Sequence, residues 1–149
     1  MRQLDILIIA PSAADLYQDL KDDFSAKETN IWAGLLANSC RSRGYGVAIY
    51  DMEIERPSVD KFLKDVESYG ARFILFVVTG QNPNASTAAM SGAIPAASCL
   101  SSLRTKIGFV GPHVNALPLE VLEKHSFIDV AFTNEGVYAL LNLLSTDIS

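Results

Sequence analysis

The sequence predicts a doubly wound α/β domain, Rossmann-like or flavodoxin-like: a five-stranded parallel sheet in the order 2-1-3-4-5 with helices on both faces. Three observations predict it. Five short apolar runs rich in Ile, Val and Phe recur along the chain with little apolar/polar alternation, as strands covered on both faces require. Stretches with helical spacing separate them. Strand then helix, five times over, is the pattern of right-handed crossovers within one open sheet. At 149 residues the chain reads as a single domain, 1–149, large enough to bury a core without staples.

The first run is Leu4–Ala10 (LDILIIA). Pro11–Thr29 follows, about nineteen residues without convincing periodicity; structureless connections that long are uncommon and often functional. A mobile surface loop, solvated by Asp15, Asp19, Asp22 and Asp23, and a short helix around Ala14–Lys21 are the other readings. Asn30–Arg43 reads as a helix stopped by Gly44, since glycine readily follows a helix end. Tyr45–Tyr50 (YGVAIY) is the second run. Val59, Phe62, Leu63 and Val66 stand at i, i+3, i+4 and i+7, one apolar face of a helix. Phe73–Thr79 (FILFVVT) is the third run. In the Ala- and Ser-rich helix Ala85–Arg104, Gly92 and Pro95 predict a kink or short break, because proline removes a backbone hydrogen bond. Ile107–Val110 is the fourth run, and Leu117–Lys124 a short helix with Pro118 suited to its first turn. Ile128–Phe132 is the fifth, and Val137, Leu140, Leu141 and Leu144 repeat the helical spacing.

Composition excludes several classes. Hydrophobic residues make up 49% of the chain and charged residues 19%, which excludes a disordered or low-complexity protein. No apolar run approaches the roughly 20 residues of a membrane helix, and Leu4–Ala10 is too short for a secretory signal. Cys40 and Cys99 alone build neither a disulfide framework nor a zinc or iron–sulfur site, so a reducing, cytoplasmic setting is expected. A net charge of −5 argues against a phosphate-backbone partner. Neither nucleic acid nor membrane is expected to bind.

In open α/β sheets a ligand sits outside the carboxyl ends of the strands, where the strand order reverses. The residues after each strand are therefore the candidates. Pro11, Ser12 and Ala13 follow the first strand. The loop they open holds neither G-x-G-x-x-G nor G-x-x-x-x-G-K-[ST], which disfavours the common nucleotide sites. Thr79, Gly80, Gln81, Asn82 and Pro83 follow the third strand and lead into Asn84-Ala85-Ser86-Thr87. This loop is small, polar and uncharged, suited to a large, flat, polar-edged ligand. Its plainer reading is a turn with Asn84 or Ser86 capping the next helix. Ala, Gly and Ser residues over 88–98 serve equally a ligand close to the helix or close packing on the sheet. Gly111, Pro112 and His113 follow the fourth strand, and a lone histidine there is more often a surface residue. Asn134, Glu135 and Gly136 follow the fifth; Asn134 suits a helix cap and Glu135 the helix dipole. Asp51, Glu53 and Glu55 read as solvated, and His125 beside Lys124 suits a helix C-terminus. No G-x-S-x-G, H-x-x-H or C-x-x-C is present, so no catalytic residue and no metal ligand is assigned.

Four stretches stand in a specific order: Asp5–Pro11; Gly34-Leu35-Leu36-Ala37 through Arg43-Gly44-Tyr45-Gly46-Val47 to Asp51; Val110-Gly111-Pro112-His113 with Pro118; and Asp129 through Asn134-Glu135-Gly136 to Leu141. In that order and spacing they resemble the N-terminal cobalamin-binding domain of B12-dependent radical SAM enzymes, over nearly the whole chain. Val110 replaces the first glycine of that family's G-G-P-H, and Val137 the last acid of its G-E-G-E. The resemblance implies cobalamin bound base-off. The D-x-H-x-x-G that ligates cobalt in other B12 proteins is missing, so no histidine is expected on the metal. It implies that Thr79–Thr87 meets the corrin amides, with Gln81 and Asn82 nearest cobalt. Gly111 and Gly136 are expected to admit the nucleotide tail, so that Gly111→Val should cost binding rather than folding. No C-x-x-x-C-x-x-C exists, so this chain ligates no iron–sulfur cluster. A radical SAM catalytic module, on the same or another polypeptide, is the expected partner, and this domain alone is not expected to turn over. The rival readings are a nucleotide- or other ligand-binding α/β domain or enzyme using the same edge, and a degenerate interaction domain.

Overall fold

A computed structural model describes residues 4–12, 29–80 and 83–148. The strands are β1 (Ile6–Ala10), β2 (Val47–Asp51), β3 (Phe73–Val77), β4 (Lys106–Val110) and β5 (Val130–Phe132). The helices are α1 (Ile31–Ser42), α2 (Met52–Glu55), α3 (Val59–Tyr69), α4 (Pro83–Cys99), α5 (Pro112–Ala116), α6 (Pro118–Lys124) and α7 (Val137–Leu144). The sheet runs β2-β1-β3-β4-β5 with every neighbouring pair parallel, the fold class and strand order that the sequence predicts. Among the described residues no helix is long and apolar enough to cross a membrane.

Side-chain alternation on the strands feeds two core layers. Ile6 and Ile8 of β1 join Phe73, Leu75 and Val110 beneath α1 and α7, where Leu36, Ala37, Cys40, Leu140 and Leu144 close the layer. Leu7 and Ile9 join Ile74, Phe76 and Phe109 on the other face, beneath Phe62 and Val66 of α3 and Ala93 and Ala97 of α4. Both faces being covered is why the strands read as continuous apolar runs. The small residues of α4 include Ala93 and Ala97, fully buried against that sheet, so close packing accounts for part of that stripe.

Helix ends follow local chemistry. The Asn30 side chain accepts the Ala33 N–H at the start of α1. Ser58 does the same for Lys61 at the start of α3, which ends on left-handed Gly70. Sequence expectations are refined at three places. Of the kink or short break expected at Gly92 and Pro95, no break occurs: α4 is continuous through both, and a 3₁₀ turn, Leu100–Ser102, follows it. Pro95 and Ser91 are both exposed, so the carbonyl that loses its partner is open to water. The short helices α2 and α5 were not signalled by periodicity, being little more than one turn each. Finally, β5 starts only at Val130, because the Asp129 carboxylate accepts the Ile107 N–H at 2.8 Å and takes a strand bond for itself.

Candidate functional site

The switch point lies between β1 and β3, whose outer neighbours are β2 and β4. Asn30 bridges this point. Its Oδ1 accepts from Ala33 N–H at 3.0 Å and from the Thr79 hydroxyl at 3.1 Å, and its Nδ2 donates to the Val77 carbonyl at 3.0 Å. One side chain thus caps α1 and fixes the end of β3. On the β1 side, Ser12 Oγ donates to Glu53 Oε1 at 2.6 Å. The Asp51 carboxylate accepts the Glu53 and Ile54 N–H groups. Both acids, read as solvated, hold neighbouring segments together.

Next along the edge, the Gly80 N–H donates to Ser86 Oγ at 2.9 Å. Ser86 is fully buried, so its role is to pin the loop to α4 rather than to cap the helix, which begins three residues earlier at Pro83. Thr87 Oγ1 lies 3.3 Å from His113 Nδ1, joining α4 to α5. The Val78 N–H donates to the Val110 carbonyl at 2.8 Å. Asn115 Oδ1 accepts the Asn134 N–H at 2.7 Å, joining α5 to the β5 end. Asn134 itself is left-handed, with φ 56°, a conformation that asparagine tolerates. It does not cap α7: that position is Gly136, also left-handed, with no side-chain cap.

Of the residues singled out from sequence, Pro11, Ser12, Thr79, Gly80, Gly111, Pro112, His113, Asn134, Glu135 and Gly136 all stand at this carboxyl edge. Pro83 opens α4. Ala13, Gln81 and Asn82 lie outside the described residues. Asn30 and Asn115 join the site from positions to which sequence analysis gave no site role, whereas Ser86 and Thr87 belong to the stretch Thr79–Thr87 that it singled out. Asn30, directly before the apolar Ile31-Trp32-Ala33, carried a legible helix-cap signal, but its reach to β3 depends on the fold. Among the described residues no three His, Cys, Asp or Glu side chains gather as a metal-binding group.

The glycines settle one expectation against the sequence reading. A Cβ on Gly111, at φ +149°, would stand 2.0 Å from the Val78 carbonyl oxygen. Gly111 is buried, and its bare backbone is needed by the sheet itself. Gly111→Val is therefore a folding lesion, not a selective binding lesion. Likewise a Cβ on Gly80 would meet the Ala85 backbone at 2.6 Å, and one on Gly136 would meet Val110 Cγ2 at 3.1 Å. Behind Gly136 a gap lined by Leu36, Leu75, Val110, Phe132 and Leu140 is too narrow for a water molecule.

The centre of this edge carries hydroxyl, amide and imidazole groups (Ser12, Asn30, Thr79, Thr87, His113), each bonded within the protein: Ser12 to Glu53, Thr79 to Asn30, and Thr87 beside His113.

No family model matches this chain, and no curated protein matches it. Among solved structures it is similar to the TIR domains of the activated Roq1 resistosome directly recognizing the pathogen effector XopQ. The two are 14% identical, with 94% of this chain and 70% of that chain covered and a TM-score of 0.38.

Proposed function

We propose that the chain is a cobalamin-binding module that takes the cofactor base-off on the carboxyl edge of its sheet, without a histidine on cobalt. One observation carries the reading. The stretches that resemble a B12-binding domain are scattered from Asp5 to Leu141, yet the candidate residues that follow β1, β4 and β5 lie on one edge. That edge includes the switch point at which such sheets bind ligands. Thr79, Gly80 and His113 would meet the ring side of the ligand, and Val110, Phe132 and Gly136 would line the path of its tail. When bound, the cobalt supplies methyl-transfer or related chemistry for a radical SAM module that holds the substrate. The contribution of this chain is binding and orientation: Asn30 holds the β3 end in place, and Ser86 holds Gly80.

The test is to mix the purified domain with hydroxocobalamin, desalt, and record the visible spectrum. A red protein whose spectrum shows the base displaced is the expected result. A colourless protein overturns the reading, and a melting shift with nucleotides instead would favour a nucleotide site on the same edge. In the cob(II)alamin form, nitrogen hyperfine splitting from the protein that disappears in His113→Ala would overturn the histidine-free assignment.

A further inference from the structure

A second concavity lies at the opposite end of the strands. A cavity of about 490 Å³ opens at the amino edge, between the segment leading into β4 and the segment leading into β5. That volume lies within the range of small-molecule sites. Its lining includes Ser101, Arg104, Lys106, Ser126, Phe127 and Asp129. The charges there are unequal in their commitments. Lys106 Nζ is 3.0 Å from Asp129 Oδ1, and Asp129 Oδ2 accepts the Ile107 N–H at 2.8 Å. The one carboxylate in the lining is thus engaged at both oxygens. Arg104 is exposed and has no ion pair or hydrogen bond among the described residues. Nor do the hydroxyls of Ser101 and Ser126 have one.

We propose that this cavity is a ligand site for a small oxyanion, the carboxylate or phosphate group of a small polar molecule, held by Arg104 with Ser101 and Ser126 as further donors. A guanidinium presents a planar fork of donors that matches both groups bidentately. A cationic ligand would face Arg104 and Lys106 with Asp129, the carboxylate in the lining, already engaged. The carbonyl ends of α4 and α6 also lie at this edge, and helix C-termini disfavour anions. Arg104, not the backbone, must therefore supply the attraction, and removing its charge should remove the site. The cavity is a strand length, about 16 Å, from the carboxyl edge, so the proposal stands whether or not cobalamin binds there.

Sodium phosphate and sodium acetate, each titrated against sodium chloride at equal ionic strength, distinguish the two oxyanions by ¹⁵N–¹H NMR. Saturable shifts at the amides of Ser101, Arg104 and Ser126 are expected for at least one of them. Arg104→Gln should weaken that affinity about tenfold, the scale of a charge-assisted hydrogen bond. Lys64→Gln, on the exposed side of α3, should leave it unchanged. The absence of saturable shifts with either anion, equal shifts with chloride, or an unchanged affinity in Arg104→Gln would each overturn the proposal.

Discussion

At the carboxyl edge of the sheet, neighbouring segments are joined mainly by neutral groups: Asn30 to Val77 and Thr79, Ser86 to Gly80, Asn115 to Asn134. At the amino edge the joints are charged. Arg72 Nη1 lies 3.2 Å from Asp5 Oδ1, and Lys106 pairs with Asp129. The difference bears on what each edge can recognise. Neutral joints hold the loops after β3, β4 and β5, while on the β1 side the Glu53 carboxylate accepts from Ser12, so a ligand on the β3 side of the switch point meets fewer ions that must be desolvated. Charged joints engage Asp5 and Asp129 and leave Arg104 without an ion pair among the described residues. The two edges also differ in slack, and variants can measure that.

The largest effect is expected at Gly111. Valine there places a Cβ 2.0 Å from the Val78 carbonyl at φ +149°, and neither backbone can yield without breaking the β3–β4 ladder. The expected loss exceeds about 3 kcal/mol, combining overpacking with backbone strain. At the amino edge, Arg104→Gln should cost less than about 0.5 kcal/mol, as ordinary surface changes do. Urea unfolding of both variants checks the contrast. A Gly111→Val protein as stable as its parent would break it.

Gly111 also shows where legibility ended. The five apolar runs and the 3.6-residue spacing of Val59, Phe62 and Val66 carry the fold openly, because burial on both faces of a parallel sheet leaves few residues free to vary. The meeting of the strand-end loops on one edge was legible for the same reason: strand order dictates which loops meet. What Gly111 touches was not, since the Val78 carbonyl comes beside it only through strand pairing. Ser86 was misread for a similar reason. A serine near a helix start signals a cap locally, whereas its partner Gly80 is chosen by how the loop folds back. The short strand β5 was overextended in sequence because the Asp129 side chain, not its apolar neighbours, decides where the ladder begins.

Ser86→Ala is the next effect in size. It removes the acceptor of the Gly80 N–H, a part-buried bond between a fully buried Ser86 and an exposed Gly80, and its loss costs about 1–2 kcal/mol. Hydrogen exchange should show the Gly80 amide losing protection in advance of global unfolding. Retained protection at Gly80 would mean that another group holds the loop, and the neutral joint would lose its claimed role.

Alkaline pH probes the buried end of α1. Burial pushes the Cys40 thiol up to about 11, with Arg41 opposing slightly. Between the unfolded thiol value and that point the folded chain binds the extra proton, so stability falls as pH rises from about 9 to 11, by roughly 1–2 kcal/mol. Tyr50 is also raised, chiefly by burial and then by its hydrogen bond to Asp65, and adds to the decline above pH 10 or so. Cys40→Ala should flatten the first part of the curve and Tyr50→Phe the second. A parent curve level across this range would show that neither group titrates differently on unfolding.

A smaller effect than at Ser86 or Cys40 should come from the Arg72–Asp5 ion pair at the amino edge. Arg72 Nη1 donates to Asp5 and Nη2 to the Thr146 carbonyl at 3.3 Å, tying the α3–β3 turn to the end of the chain beyond α7. The side chains of Arg72 and Asp5 are 32% and 20% exposed, so water and salt screen the pair. Asp5 keeps its second bond, from the Gly46 N–H at 2.7 Å, when the arginine is removed. Arg72→Gln should therefore cost only about 0.5–1 kcal/mol at low ionic strength, and the cost should shrink as sodium chloride approaches molar concentration. Melting the parent and variant side by side in low and high salt gives both numbers. A cost above about 2 kcal/mol that salt leaves unchanged would place the pair among buried charges, and the amino edge would then be as rigidly built as the edge around Gly111.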